Sequence, residues 1–444
     1  MEIKKTNLAE QMQSIRQELI ELDVKRIQLE NELYLLEKDQ DKSGGLVGDA
    51  QDVASSVNSK SHHDLKIKLF MSLFKGRTDV FAKRFESQRT GKSGYQPACK
   101  NEWVDGICKK PKIKCADCKH REFILLSDSI IRDHLLGYTL GDKTQRDFTV
   151  GAYPLLQNET CHFLAIDFDG PTWQKDILAY WCTCRDRSIP VVMERSRSGN
   201  GGHTWIFFSE PITAKTARIL ASFVLTETMK RHPGIGFESY DRFFPNQDTM
   251  PKGGFGNLIA LPLQGHPRQR NSSVFINDSF IPFSDQWAFL STIRKISLSE
   301  VEAIIEDASK KGNILGVRFV NLDEDEEPWT APPSRKRDPD PILEELPSKL
   351  TLVLGNQIYV EKAGLPPALL NRLIRIAAFQ NPEFYKTQAM RLSTWDKPRI
   401  ISCHEEFSKH IGLPRGCLQE VTELLESRSI TPQIIDEREQ GVRL

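Results

Sequence analysis

The sequence predicts an α+β protein with a largely antiparallel sheet. Three observations carry that expectation. Short apolar strands alternate with helical stretches through the middle of the chain, two composition breaks flank that region, and 39% apolar with 27% charged residues suits a soluble globular protein. At 444 residues the chain exceeds one ordinary domain, so two or three folded units are expected.

From the N-terminus, Leu8, Met12, Ile15, Leu19, Leu22, Leu29, Leu33 and Leu36 recur at alternating four and three spacing, with Arg26 breaking the seam. This predicts a coiled-coil helix over residues 1–37 that needs a covering partner, and dimerisation through a second copy is the expected solution. Packing on the chain's own globular part is the alternative. Residues 38–62 turn to Asp, Ser, Gly and Asn and are expected to be a flexible linker.

Residues 63–125 form a basic segment. Between Lys60 and Glu122 bases outnumber acids about two to one, which suits a phosphate backbone, whereas the whole chain has no net charge. Nine cysteines in a chain without a secretory signal are expected to be thiols or metal ligands rather than disulfides. Cys99, Cys108, Cys115 and Cys118 lie within twenty residues, and the Cys-x2-Cys pair can place both sulfurs on one ion. A structural Zn²⁺ site is predicted there, with His120 able to replace one thiol. Cys161, Cys182, Cys184, Cys403 and Cys417 lack such spacing and are read as core.

Residues 126–322 are expected to be the catalytic domain. Its strands are predicted at His162–Asp169, Val191–Arg195, His203–Ser209 and Asn257–Pro262, with helices at Trp173–Asp186 and Ala214–Arg231. Asp167 and Asp169 close an apolar run, and in an extended strand they share one face. Paired carboxylates at a strand end repel unless cations lie between them, so Mg²⁺ or Mn²⁺ is expected.

Some thirty residues on, the chain reads Arg195-Ser-Arg197-Ser198-Gly199-Asn-Gly201-Gly202-His203. Glycines allow close approach to an anion, and Arg195, Arg197, Ser198 and His203 add charge or donors, which suits a nucleoside triphosphate. His203, Trp205 and Phe207 fall on one strand face, so a core histidine is the plain alternative. No Walker loop is present: Gly91-Lys92-Ser93 has Glu86 where the first loop glycine belongs. A third carboxylate is expected from Glu238, Asp241 or Asp248, with Asp241 preferred. Lys252, in a glycine-rich turn, is a further candidate for phosphate contact.

Repeated prolines and acids at 323–342 mark a second linker. Residues 343–444 are expected to be a small α/β accessory domain, with a strand at Thr351–Val360 and helices at Pro366–Phe379 and Leu413–Ser427. No apolar run reaches the roughly 20 residues of a membrane-spanning helix, so a cytoplasmic location without a membrane partner is expected.

The order of carboxylate pair, Ser-Gly-x-Gly-x-His and late acidic residue resembles the archaeo-eukaryotic primase superfamily, and more closely its TOTE conflict system branch. Gly94–Val104, the Asp167 region, Arg195–His203, Ser239–Gln264, Gly355–Tyr359 and Leu413–Cys417 carry the resemblance. It implies a primase-polymerase core with an RRM-like sheet. The implied activity is template-dependent nucleotidyl transfer, with Asp167, Asp169 and Asp241 on Mg²⁺ or Mn²⁺ and Ser198 and His203 in the nucleotide site. It further implies single-stranded or primer-template DNA, or RNA, and NTP or dNTP as partners, in a mobile-element conflict setting. Members are commonly joined to a helicase and a nuclease. With no helicase motif before Leu444, unwinding is expected from a partner. The rival readings are a nuclease activating water on the same carboxylates and a non-catalytic nucleic-acid-binding adaptor.

Overall fold

The computed structural model describes residues 57–310 and 345–438, apart from 88–89, 143–145, 233–234, 236–238, 240–241 and 395. The coiled-coil expectation, residues 38–56 of the expected linker and the break at 323–342 lie outside the described residues. The linker's last residues are ordered. Asn58 and Ser61 close a turn, and the Ser59 amide donates to the Asp285 carboxylate at 2.7 Å.

The described residues fall into two compact units, one running to Ile212 and resuming at Phe255–Leu298, the other comprising Thr213–Gly254 and residues from Ser299 on. The basic segment and the carboxylate strand therefore share a unit. Helix Ala214–Arg231 groups with the C-terminal residues.

In chain order the strands through the middle of the chain are β1 (Ala82–Glu86), β2 (Ser93–Pro97), β3 (Val150–Ala152), β4 (Thr160–Asp169), β5 (Val192–Arg195), β6 (Gly201–Thr213), β7 (Phe243–Phe244), β8 (Ile259–Ala260) and β9 (Val274–Ile276). β7 belongs to the second unit. In the first unit one sheet has the order β2-β1-β3-β8, and the other carries β4, β6, β5 and β9 in that order. The pairings β1–β2, β1–β3, β3–β8, β5–β6 and β5–β9 are antiparallel, as expected.

β4 is apolar on both faces at its centre: Phe163, Leu164, Ala165 and Ile166 are all buried. Alternation begins only where the strand leaves the core, with Asp167 half-buried, Phe168 buried and Asp169 exposed. On β6 the Trp205 and Phe207 rings stack with centroids 6.3 Å apart, and Phe74 meets both edge-on at 5.0 and 5.3 Å. Aromatic burial on this scale anchors the sheet, because each ring removes some 150–250 Å² of surface from water.

Helix Asp128–Leu136 ends at Gly137, whose φ of +89° a side chain would strain. It places His134 in the interior, where Nε2 lies 2.9 Å from the Pro262 carbonyl and Nδ1 accepts from the Val150 amide at 3.1 Å. Both contacts are met by one neutral tautomer with the proton on Nε2, and burial pulls the imidazole down to about 4. The unfolded chain takes up this proton near pH 6.5, the folded one only near 4. The stability held by the neutral ring is therefore present above about pH 6.5 and is lost as pH falls towards 4, by about 3 kcal/mol. Urea unfolding at pH 7 and 4.5 will show a smaller acid loss in His134→Gln than in wild type; equal losses would show that this ring does not govern the acid limb.

In the second unit, Ala214–Arg231 begins at Thr213, whose side chain accepts from the Thr216 amide, and ends on Lys230 and Arg231, which suit the negative end of the helix dipole. A sheet of order β14-β15-β11-β10-β16 follows, built from β10 (Lys349–Leu354), β11 (Ile358–Glu361), β14 (Glu405–Glu406), β15 (His410–Leu413) and β16 (Thr431–Asp436), with β12 (Ala378–Gln380) and β13 (Ile400–Ser402) paired beside it. The strand expected at Thr351–Val360 is two, because the chain turns at Gly355 and the Gly355 amide bonds the Gln357 carbonyl. The expected Leu413–Ser427 helix starts at Leu418, after a strand and a 3₁₀ turn over Arg415–Cys417. Likewise Pro367–Ile376 is helical, but Ala378–Gln380 is strand. Of the cysteines read as core, Cys161 and Cys184 are buried, Cys182 and Cys417 are half-buried, and Cys403 is exposed.

Candidate active site

β5 and β6 form a hairpin in which Glu194 faces His203 and Arg195 faces Gly202. Gly199 turns the chain with φ +81°, which favours glycine. Gly201 has a different reason: a Cβ there would stand 2.7 Å from Asp169 Oδ1 and 3.0 Å from the Phe168 carbonyl. The absent side chain thus makes room for the second carboxylate. The hairpin tip and the carboxylate end of β4 are in contact.

His203 Nε2 lies 3.5 Å from Asp167 Oδ1, and its Nδ1 lies 2.9 Å from Glu194 Oε2. Glu194 is 1% exposed and also accepts from Trp205 Nε1 at 2.9 Å and the Ser273 hydroxyl at 3.4 Å. Burial works against a charged His203 ring. The Glu194 carboxylate, with Asp167 and Asp169 beyond it, outweighs that and pushes the imidazole up to about 9. Glu194 escaped the sequence reading, although its register opposite His203 follows from a hairpin centred between Ser198 and Gly199.

The arginines divide. Arg195 donates to the Asn271 and Phe280 carbonyls at 3.0 and 2.6 Å and so braces the loops on either side of β9. Arg197 donates to Asp147 at 2.6 Å, to Thr149 at 3.0 Å and to Gln264 at 2.5 Å, while Arg84 reaches the same Asp147 oxygen at 2.9 Å. Arg84 also meets Glu86 at 3.2 Å, so two guanidiniums are matched by two carboxylates and Asp147 bridges them. At the hairpin tip Ser198 is exposed, and its hydroxyl accepts from the Asn200 amide at 3.1 Å. The Gly199 amide bonds the Ser196 carbonyl, so these two amides serve the turn itself.

Of the three candidates for the third carboxylate, Asp248 lies among the described residues. It belongs to the second unit, where one oxygen meets Arg218 and the other accepts from Gln388 at 3.0 Å. Glu238 and Asp241 lie outside the described residues. Lys252 is exposed in the second unit, its amide bonded to the Arg391 carbonyl.

Cys99, Cys108, Cys115 and Cys118 line one pocket, with His120 on its wall. The Cys99 sulfur accepts from the Glu122 amide at 3.4 Å, and the Lys110 and Trp103 amides hold the Cys108 thiol below its usual range. Amide-to-sulfur bonds of this kind suit thiolate ligands. Among the described residues, however, only His62, His63 and Asp64, all exposed, bring three donor atoms within 4.8 Å of one another. The cysteine sulfurs stand further apart than a bound ion would hold them.

Residues 65–304 match the TOTE conflict system, archaeo-eukaryotic primase domain. Spanning just over half of the sequence, that match defines a primase-class domain of mixed helix and antiparallel sheet. The chain belongs to the TOTE conflict system archaeo-eukaryotic primase family. Membership supports a nucleotidyltransferase-like function, and domains of this class generally use divalent metals. Among solved structures, the AEP domain of the cyanophage S-2L primase-polymerase is similar at 13% identity and a TM-score of 0.23, over 47% of this chain and 95% of that one. No curated protein matches. Among the described residues no helix is long and apolar enough to cross a membrane.

Proposed function

We propose that this protein is a primase-polymerase that transfers nucleotides to a DNA template's growing strand, with Asp167 and Asp169 holding divalent cations and Asp241 completing the ligand set. The observation that carries the reading is the contact between the two strands: Asp169 packs on Gly201, and Asp167 lies 3.5 Å from a histidine fixed by a buried glutamate. Both carboxylates offer the hard oxygen donors that Mg²⁺ and Mn²⁺ select. When bound, such ions favour the ionised primer hydroxyl and neutralise the leaving pyrophosphate. The protein's own part is placement. His203 presents Nε2 beside the carboxylates, Arg197 is held by Asp147 for phosphate contact, and Ser198 lies at the exposed tip of the hairpin.

In this proposal the protein works in the cytoplasm with a helicase and a nuclease in a mobile-element conflict system, and self-associates through residues 1–37. The test is incubation with single-stranded DNA, labelled nucleotides and Mn²⁺ or Mg²⁺. Extended product from wild type supports the reading; cleavage without incorporation would assign the carboxylates to a nuclease.

The four cysteines are proposed to bind structural Zn²⁺, closing around it from their present spacing. Purified protein is expected to carry about one zinc per chain by elemental analysis. Cys115→Ser with Cys118→Ser is expected to remove it, and a zinc-free wild type would refute the site.

A further inference from the structure

Trp103 is unusual in two independent ways. It is 67% exposed, the most exposed large apolar side chain among the described residues, and its backbone sits at φ +60°, a conformation that strains a non-glycine residue. The turn around it holds that conformation in place. The Val104 amide bonds the Asn101 carbonyl, and the Cys108 amide bonds the Val104 carbonyl. A large ring kept out of the core on a constrained turn is available to a partner.

The surroundings state the partner's charge. Residues 99–121 carry Lys100, Lys109, Lys110, Lys112, Lys114, Lys119 and Arg121 against Glu102, Asp105 and Asp117. Glu102 is already matched by Lys110 at 3.0 Å, and Lys110 Nζ lies 5.6 Å from the Trp103 ring centroid. Lys109, Lys112, Lys114 and Lys119 form no ion pair among the described residues and are exposed. A protein partner would have to answer several uncompensated lysines in the segment that carries one exposed ring. A polyanion with flat, apolar faces answers both at once.

We propose that Trp103 is a stacking platform for an unpaired base of single-stranded nucleic acid, with the backbone phosphates drawn to the lysines of the same loop. This deepens the primase-polymerase reading, on which the identity of the strand as template or primer rests, but the stacking contact requires no chemistry. Base-paired DNA hides its base faces, so the platform selects unpaired strands.

The test is fluorescence anisotropy with labelled oligothymidylate, oligouridylate and a blunt duplex, using zinc-replete full-length protein without nucleotide. Trp103→Ala is expected to weaken single-strand binding about ten-fold, Trp103→Phe to restore most of it, and duplex binding to stay unchanged. On an abasic strand, wild type and Trp103→Ala should bind alike. Loss on thymidylate, uridylate or both supports the platform and states which sugar it accepts. Equal binding by all three proteins, or an equal loss on abasic and duplex DNA, overturns it. Failure of nucleotide incorporation leaves these outcomes untouched.

Discussion

Replacing Asp167 and Asp169 together by alanine is expected to lower nucleotide incorporation by about a thousand-fold or more, with little loss of fold. The magnitude follows from the metal-holding role proposed for the carboxylates. Charge stabilisation around a transferring phosphoryl group is worth several kcal/mol, and each 1.36 kcal/mol of barrier is a factor of ten in rate. Two ligands lost from one strand end leave nothing on β4 to hold a cation. The structural cost is small because Asp169 is exposed and Asp167 is half-buried, while the buried run Phe163–Ile166 is untouched. Single Asp→Asn variants keep shape and oxygen donors but lose the charge, and should fall between wild type and the double variant. The measurement is primer extension with Mn²⁺ and with Mg²⁺, with unfolding midpoints as the control. A double variant keeping more than a tenth of wild-type product would mean that these acids do not hold the reactive ions.

The elements that carry the candidate site were legible because their signals are local. Asp167 and Asp169 end a continuous apolar run, and helices Trp173–Asp186 and Ala214–Arg231 have the bounds that their apolar spacing predicts. Errors arose where a turn residue sits inside an apolar run. Gly355 splits one expected strand into a hairpin, and Pro414 with Gly416 delays the helix expected from Leu413. Long-range partners were out of reach: nothing near Arg197 points to Asp147, 50 residues earlier, or to Gln264, 67 residues later. In the glycine-rich turn the packing supplies a reason that sequence alone does not. Gly201 is there because Asp169 occupies the space of its missing Cβ, a fact that only the packing of β4 on β6 reveals.

Glu194 is the clearest residue that sequence patterning hides, since a charged residue in a strand ordinarily points to solvent, and its replacement should have the second largest effect. Its carboxylate joins two donors, His203 Nδ1 and Trp205 Nε1, both at 2.9 Å, in a place where no water replaces it. With Glu194→Gln the side-chain volume is kept and the oxygen that both rings already share can remain as the amide oxygen, but the charge that pairs with the His203 ring is lost and an amide nitrogen replaces Oε1 beside the Ser273 hydroxyl. The His203 ring then loses its fixed orientation towards Asp167, and incorporation is expected to fall about ten- to a hundred-fold. Lower stability alone would give the same fall, so the decisive measurement is a double-mutant cycle with His203→Ala. If Glu194 acts by positioning that ring, Glu194→Gln will cost almost nothing once His203 is gone, and the two effects will be far from additive. Additive losses would instead make Glu194 a support for Trp205 and the sheet, with His203 oriented by Asp167 alone.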